Sequence, residues 1–466
     1  MPPRRDAAEA DAALVRAIGL PSAVLLVIGS VVGSGIFLTT GLMAETLPST
    51  TLLLGAWALG GLFALAGGLT YAEMGAMFPR SGGVYVFLRE AYGSLPAFLY
   101  GWAALLVVVS GGIAAVAVGF AEYLSYFVPA LSPARVVAQV PLGPVVWRVS
   151  AGQLVGAASI ALLGAVNYVG VRSGNFVNAA LTSAKVAALA ALPVMAIVVR
   201  RVDPVFTPVV PPGVERPLAA FGVAMIAVLW TYEAWYFVTY AAGEVKDPRR
   251  NLPRALLYGT LALTGIYLSV NVAYFYALRL DELTGVTRIA EEAARALVGR
   301  AGADFVAVTV VVSTFGCNAA AILAGSRLLF AMSADGVFFR AAGAVHPRYR
   351  TPHVAIVGLS VWSAILALSG SYEQLFTYVM FASVLFSAAG GVALFRLRRL
   401  RPDHPRPYRA WGYPVVPALF VLGSIAFVWN TLVERPVESL AGIGLLALGL
   451  PAYAYWRAQA AREAAG

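Results

Sequence analysis

The 466-residue chain is poor in charged residues, cysteine, histidine and lysine. Only 12% of its residues are charged and 60% are hydrophobic, a composition that a soluble globular domain does not have. The single cysteine, Cys317, excludes an internal disulfide and a CxxC metal site. Three histidines, in predicted loops or at a span edge, suggest neither a metal site nor a Ser-His-Asp triad. We therefore expect no enzymatic centre, no metal and no cofactor.

Long apolar runs are the main feature that the sequence does have. Twelve of them are near or above the roughly 20 residues that cross a bilayer. They cover residues 20–44, 50–78, 94–127, 149–170, 175–199, 218–241, 255–278, 304–333, 353–369, 374–396, 413–431 and 438–456. The sequence thus predicts an all-α polytopic membrane protein with twelve transmembrane helices, flanked by polar tails at 1–19 and 457–466.

Basic residues indicate the orientation of these spans. With both termini inside, the inner segments hold more than twice as many arginines and lysines as the outer ones. This excess predicts cytoplasmic termini. The formal charge of +10 then reflects membrane orientation, and we expect no nucleic-acid partner because no compact basic domain lies outside the spans.

The first span is interrupted by small residues. Residues 29–37 read GSVVGSGIF, and Gly33 and Gly35 stand where an uninterrupted helix is expected. Glycine weakens a helix interior, and hydrocarbon offers no water to a freed backbone group. A broken helix at membrane depth is typical of a transporter binding site. The alternative is close helix packing by small residues.

The sixth span carries a carboxylate. Glu233 lies in TYEAW, about fifteen residues into the span, and an intramembrane carboxylate indicates a functional site. The alternatives are a water-facing position at a span edge and a pair with another buried group. The neighbouring aromatics could pack or could cover a substrate; they are Trp230, Tyr232, Trp235 and Tyr236.

The fifth span carries Lys185, one of only two lysines in the chain. A lysine buried among apolar residues can act as a proton site, or as a tethered cation in place of a metal ion. It can equally be a fixed charge that bonds to carbonyls at the break in the first span. Both interpretations place Lys185 near the centre of the protein.

Four segments carry a family resemblance. GSVVGSGIF resembles the G-[ST]-x-x-G-[SA]-G-I-F segment of the amino acid-polyamine-organocation superfamily, in particular its L-type amino acid transporter branch and the bacterial relatives of that branch. WTYEAWYFVTYAAGEVKDPRRNLPRAL resembles the sixth span and following loop of that branch. FGCNAAAILAGSRLLFAMSADG with HPRYRTP resembles its eighth span, and RPDHPRPYRAWGYPVVP the entry to its eleventh.

The resemblance implies a LeuT-like fold of two inverted repeats of five helices plus two peripheral helices. Residues 20–199 would form the first repeat and 218–397 the second, with helices 1 and 6 broken at the midplane. Residues 413–456 would be the peripheral helices. The implied function is a secondary active amino acid transporter of the plasma (inner) membrane, a sodium-independent exchanger or a proton-coupled permease that works by alternating access.

The resemblance also implies a substrate site. The substrate carboxylate would meet the N–H groups of Ser34 and Gly35 at a half-helix N-terminus, which suits an anion. Its ammonium would meet the backbone carbonyls of Val31, Trp230 and Glu233. Trp230 stands where the family has a gating aromatic.

Lys185 matches a lysine found at this place in many family members. It would occupy the region that a sodium ion uses in sodium-coupled relatives of the fold, which favours sodium-independent transport.

Two departures from the family pattern lead to further expectations. Glu233 stands where many members have Gly, Asp or another small residue, so the alternative substrate is a cationic amino acid or polyamine. Mammalian members join a partner through an outer-loop cysteine, which this chain lacks, so we expect no disulfide-linked heavy subunit. A membrane nutrient sensor is the remaining alternative, but we find no long soluble segment for an output domain.

Overall fold

The computed structural model describes residues 16–142, 145–169, 174–210 and 214–465, and most of these residues are helical. In chain order the helices are α1 (Leu20–Val31), α2 (Gly35–Thr46), α3 (Thr50–Met77), α4 (Val84–Tyr92), α5 (Ser94–Ala103), α6 (Val109–Phe127), α7 (Ala151–Val169), α8 (Gly174–Val199), α9 (Pro217–Tyr232), α10 (Pro248–Ala277), α11 (Leu280–Leu283), α12 (Ile289–Val298), α13 (Arg300–Ala334), α14 (His353–Ala367), α15 (Tyr372–Leu400), α16 (Val415–Glu434), α17 (Pro436–Ala447) and α18 (Gly449–Ala465).

Ten helical stretches of the described residues are long and apolar enough to cross a membrane. Two shorter apolar helical segments lie at the positions of the predicted fifth and ninth spans. They are Lys185–Val199, which is part of α8, and His353–Ala367, which is α14. The prediction of a polytopic helical membrane protein is therefore confirmed.

The first and sixth spans are both interrupted. The first divides into α1 and α2, with Val32, Gly33 and Ser34 between them. The sixth leaves the α conformation after Tyr232, where Glu233 is extended and Ala234 is left-handed at φ 71°, and it continues as a 3₁₀-helix over Trp235–Thr239. A left-handed alanine is strained, so surrounding contacts must stabilise this break.

The loop between α6 and α7 departs from the all-α prediction. It forms a two-stranded antiparallel hairpin of β1 (Val136–Leu142) and β2 (Val145–Ser150), with Gln139 opposite Arg148. Valine recurs along both strands, and β-branched residues suit a pleated ribbon. The helix α4 was likewise not predicted, because its nine residues are too few to be a span.

Helix packing brings the two interruptions together. Helix α2 packs on α9, and α1 packs on the 3₁₀-helix that follows the second break, as well as on α8 and α10. Helix α6 packs on α13 and α15 beside them. The broken segments are thus enclosed by long helices, so every freed backbone group needs a partner from one of those helices or from a ligand.

Candidate functional site

The carbonyl groups at the end of α1 are bound by side chains from other helices. The Lys185 ammonium on α8 donates to the carbonyl oxygens of Gly29 and Val32, both at 2.8 Å, and only 6% of this lysine is exposed. The Ser313 hydroxyl on α13 also donates to the Val32 carbonyl, at 3.3 Å. Since a helix leaves its last four carbonyls without helical donors, these contacts replace the bonds that the break removes.

Two further carbonyls of α1 find donors nearby. The Cys317 thiol lies 3.5 Å from the Ser30 carbonyl. The Val31 carbonyl accepts from the Gly33 N–H at 2.7 Å and from the Tyr267 hydroxyl at 3.3 Å. Because the Tyr267 hydroxyl also lies 3.2 Å from the Thr231 carbonyl, it links the two breaks.

The N-terminus of α2 is satisfied much less completely. Among the described residues, no acceptor bonds the backbone N–H of Ser34 or of Gly35. The Ser34 hydroxyl does not cap the helix but bonds the Tyr372 hydroxyl at 3.1 Å. Unpaired N–H groups and the positive end of the helix dipole together suit an anionic group.

A cavity of about 60 Å³ adjoins these N–H groups. Both breaks line it, together with α6, α13 and α15. Its lining includes Val31, Gly33, Ser34, Gly35, Gly112, Trp230, Glu233, Cys317 and Asn318. Of the predicted site residues, the structure brings Val31, Ser34, Gly35, Trp230 and Glu233 to this one cavity. Lys185 lies behind it, on the carbonyls of α1.

Glu233 is the only charged side chain among the described residues that line the cavity. One of its carboxylate oxygens accepts from the hydroxyls of Tyr236 and Ser383, both at 2.6 Å. The residue is half-buried and has no ion pair with any described cation. The carboxylate is thus held in place by neutral donors and can still bind a cationic group in the cavity.

Trp230 is fixed by the start of α15. Its indole N–H donates to the Tyr372 hydroxyl at 2.9 Å, and its ring stacks on Phe376 with centroids 5.9 Å apart. Since Tyr372 also bonds the Ser34 hydroxyl, these side chains bridge the two breaks on one side of the cavity. Two other aromatics of the sixth span pack elsewhere: Tyr232 contacts Trp57 and Tyr267, and Trp235 contacts Tyr71 and Phe420.

The two glycines of the first break differ in their surroundings. A Cβ atom on Gly35 would lie 2.4 Å from the Thr231 hydroxyl oxygen and 2.9 Å from its Cα, so helices α2 and α9 could not stay in place. A Cβ on Gly33 would meet only the Cys317 sulfur closely, at 3.3 Å. Neither glycine has a positive φ, so Gly35 is required by close approach rather than by its backbone conformation.

Residues of the neighbouring helices complete the lining of the cavity. Gly112 lines the cavity, whereas its neighbour Gly111 packs on α15. Cys317 and Asn318 do line it. The contributions of Tyr372, Tyr267 and Ser383 were not predicted, since a tyrosine or serine in or beside an apolar run carries no distinctive signal.

Comparisons with known proteins identify the family of this chain. A family model described as amino acid permease matches residues 18–443. The chain belongs to the amino acid permease family. It is 30% identical over 448 residues to the serine/threonine exchanger SteT of Bacillus subtilis (strain 168). The match covers 95% of this chain and 97% of that protein.

Two human relatives are similar over most of the chain. The large neutral amino acids transporter small subunit 2 is 29% identical over 456 residues, 96% of this chain and 82% of that protein. The b(0,+)-type amino acid transporter 1 is 28% identical over 431 residues, which are 91% of this chain and 84% of that protein. The superfamily resemblance carried by the sequence motifs is therefore confirmed.

Proposed function

We propose that this permease is a secondary active transporter of α-amino acids, and that the cavity between the two helix breaks is its substrate site. The observation that carries this proposal is the pair of unpaired N–H groups of Ser34 and Gly35 at the N-terminus of α2, beside the cavity. A free α-amino acid has a carboxylate to place there and an ammonium for the carbonyl groups on the other side. Membership of the amino acid permease family supports the same substrate class.

The substrate ammonium would bind the carbonyls of Val31, Trp230 and Glu233. The Val31 carbonyl already accepts two hydrogen bonds, and the Trp230 carbonyl accepts one, from the Glu233 N–H at 3.1 Å. The Glu233 carbonyl accepts none from the described residues. We therefore assign the Glu233 backbone the largest share of ammonium binding and Trp230 the role of gate over the substrate.

Lys185 would make transport independent of sodium. Its ammonium bonds the Gly29 and Val32 carbonyls. Without the lysine, these carbonyls could coordinate a sodium ion at the break. As a fixed charge it suits an exchanger; as a group that loses its proton during the cycle it suits a proton-coupled permease. The serine/threonine exchanger activity named for the Bacillus relative favours exchange.

The finer architecture belongs to the same proposal. Ten long and two shorter apolar helices support twelve spans. Residues 20–199 and 218–397 would form inverted repeats of five helices each, with only the first helix of each repeat broken at the midplane, and residues 413–456 would form the peripheral helices. The tails at 1–19 and 457–466 would lie in the cytoplasm, with the protein in the plasma (inner) membrane and no disulfide-linked heavy subunit.

A cationic substrate is the second candidate. Its support is the Glu233 carboxylate, which lines the cavity without a cationic partner among the described residues. Arginine, lysine or a polyamine would bring that partner. With a neutral amino acid as substrate, the Glu233 carboxylate would instead bind the α-ammonium group or a proton.

Uptake into proteoliposomes tests the proposal. The purified protein is reconstituted into vesicles that are empty or preloaded with unlabelled amino acid, each with and without an inward proton gradient, and labelled serine, alanine, leucine and arginine are offered outside. Uptake only into preloaded vesicles indicates exchange, and uptake into empty vesicles driven by the proton gradient indicates symport. No saturable uptake of any amino acid by folded protein would contradict the function.

A further inference from the structure

A second, larger cavity of about 620 Å³ lies where the starts of α1 and α10 meet the end of α3. It is lined by Arg16, Pro79 and the four residues from Asp247 to Arg250. In the proposed topology this is the cytoplasmic surface of the membrane, and the cavity shares no lining residue with the substrate cavity. Two of its walls are joined, since the Ile18 N–H donates to the Glu244 carbonyl at 3.0 Å and the Lys246 N–H to the Ile18 carbonyl at 2.8 Å.

The cavity has an uncompensated positive charge. Arg16, Arg249 and Arg250 are exposed, and none of their guanidinium groups has a hydrogen bond, ion pair or ring contact with another described residue. Arg254 follows one turn after Arg250, and its guanidinium group likewise has no partner in the described part of the chain. Asp247 is the only carboxylate in the described lining.

The placement of these arginines is itself unfavourable. Like charges at positions i and i+4, here Arg250 and Arg254, destabilise a helix, and cations in the first turn oppose its dipole. Other arginines at the same surface show the alternative, a carboxylate partner, as Arg80 and Arg401 have in Glu90. A bound anion would compensate both effects at the start of α10.

We propose that this cavity binds a phosphate-bearing anion, the headgroup of an anionic phospholipid of the inner leaflet. Clusters of four or more basic residues directly beside the cytoplasmic end of a membrane helix favour anionic lipids. The cavity opens beside α10, whose Tyr258 and Leu261 are about half exposed on the outside of the bundle, where acyl chains would lie. A headgroup in the cavity therefore keeps its acyl chains in the bilayer.

Binding is measured by native mass spectrometry of the full-length purified protein, titrated with phosphatidylglycerol and with phosphatidylcholine of identical acyl chains. We expect preferential retention of phosphatidylglycerol. At about 1 kcal/mol for each arginine, the double change R249Q/R250Q should lower that preference about 30-fold and Arg16→Gln about fivefold. The matched control is Arg399→Gln, which removes an exposed arginine from the inner end of α15 and should leave retention unchanged.

Three results would overturn the proposal. One is equal retention of the two lipids, and another is an equal loss in the Arg399 variant, which would mean diffuse attraction to basic charge. The third is displacement of phosphatidylglycerol by a large excess of inorganic phosphate, which would identify a free anion as the ligand. Because the readout is lipid retention by folded protein, its failure is independent of any failure of amino acid transport.

Discussion

Replacement of Lys185 by methionine is the most direct test of how the first helix break is stabilised. The change keeps the length of the apolar stem and removes the donor to the Gly29 and Val32 carbonyls. Val32 retains the Ser313 hydroxyl, but Gly29 loses its only side-chain donor among the described residues. A buried carbonyl without a partner costs about 1–3 kcal/mol, so the intact break should become about 5–150-fold less populated.

Exchange of labelled amino acid in proteoliposomes gives the readout, because the site is formed only when the break is intact. We expect the initial rate of exchange to fall by the same factor, about 5–150-fold. Lys246→Met is the matched control, since it changes the only other lysine in the chain, on an exposed loop. Gel filtration and thermal unfolding establish that both variants are folded. Near-normal exchange by the Lys185 variant would refute the reasoning.

Three further predictions concern backbone and charge. Gly35→Ala should abolish transport while Gly33→Ala retains most of it, as uptake assays can establish; equal loss would contradict the close approach of α2 and α9. Ala234→Gly should raise stability by about 0.5–1 kcal/mol, because relief of the left-handed strain exceeds the entropy that glycine adds to the unfolded chain; a lowered unfolding temperature would exclude this. Both guanidinium nitrogens of Arg201 bond Glu282, at 2.8 and 3.1 Å, and lower the pKa of its carboxyl to about 2. This depressed pKa stabilises the fold above the usual carboxyl range, and the effect is lost as the pH falls from about 4 towards 2. The unfolding temperature of Glu282→Gln should therefore be below that of the unchanged protein at neutral pH and converge with it in acid.

The breaks could be predicted because they violate the local rules of a membrane helix. Glycines in GSVVGSGIF and a carboxylate at Glu233 are unfavourable in an ordinary span, so the sequence itself marks them. Lys185 is marked for the same reason. What each of them bonds to depends on which helices pack together, and the alternatives for Lys185 could not be separated without that packing.

The partners of the breaks could not be predicted from the sequence. Tyr267 and Ser383 are ordinary residues in their spans, and Tyr372 lies just outside the predicted tenth span, where a tyrosine is also typical of the membrane interface. Their roles arise from helix pairings of long sequence separation. The hairpin between α6 and α7 could not be predicted from apolar runs, because its strands of 7 and 6 residues are far shorter than a membrane span.

The two ends of the site differ in how completely the protein satisfies them, and this difference assigns a role to Glu233. The carbonyls of α1 are bound by donors from α8, α10 and α13, whereas the N–H groups of Ser34 and Gly35 are left for a ligand. A substrate ammonium therefore finds few free carbonyls besides that of Glu233, and we expect the Glu233 carboxylate to bind the ammonium together with this carbonyl.

Glu233→Gln separates this role from recognition of a cationic side chain. If the carboxylate binds the α-ammonium, the KM for every amino acid should rise about 10–150-fold, the equivalent of one charge-assisted hydrogen bond of about 1.5–3 kcal/mol. If it binds a side-chain cation, only arginine and lysine uptake should fall. Glu373→Gln, which changes a half-exposed carboxylate paired with Arg435 outside the cavity, is the control and should leave KM unchanged. An unaltered KM for all substrates in the Glu233 variant would exclude both roles, because the only charge among the described lining residues would then contribute nothing to binding.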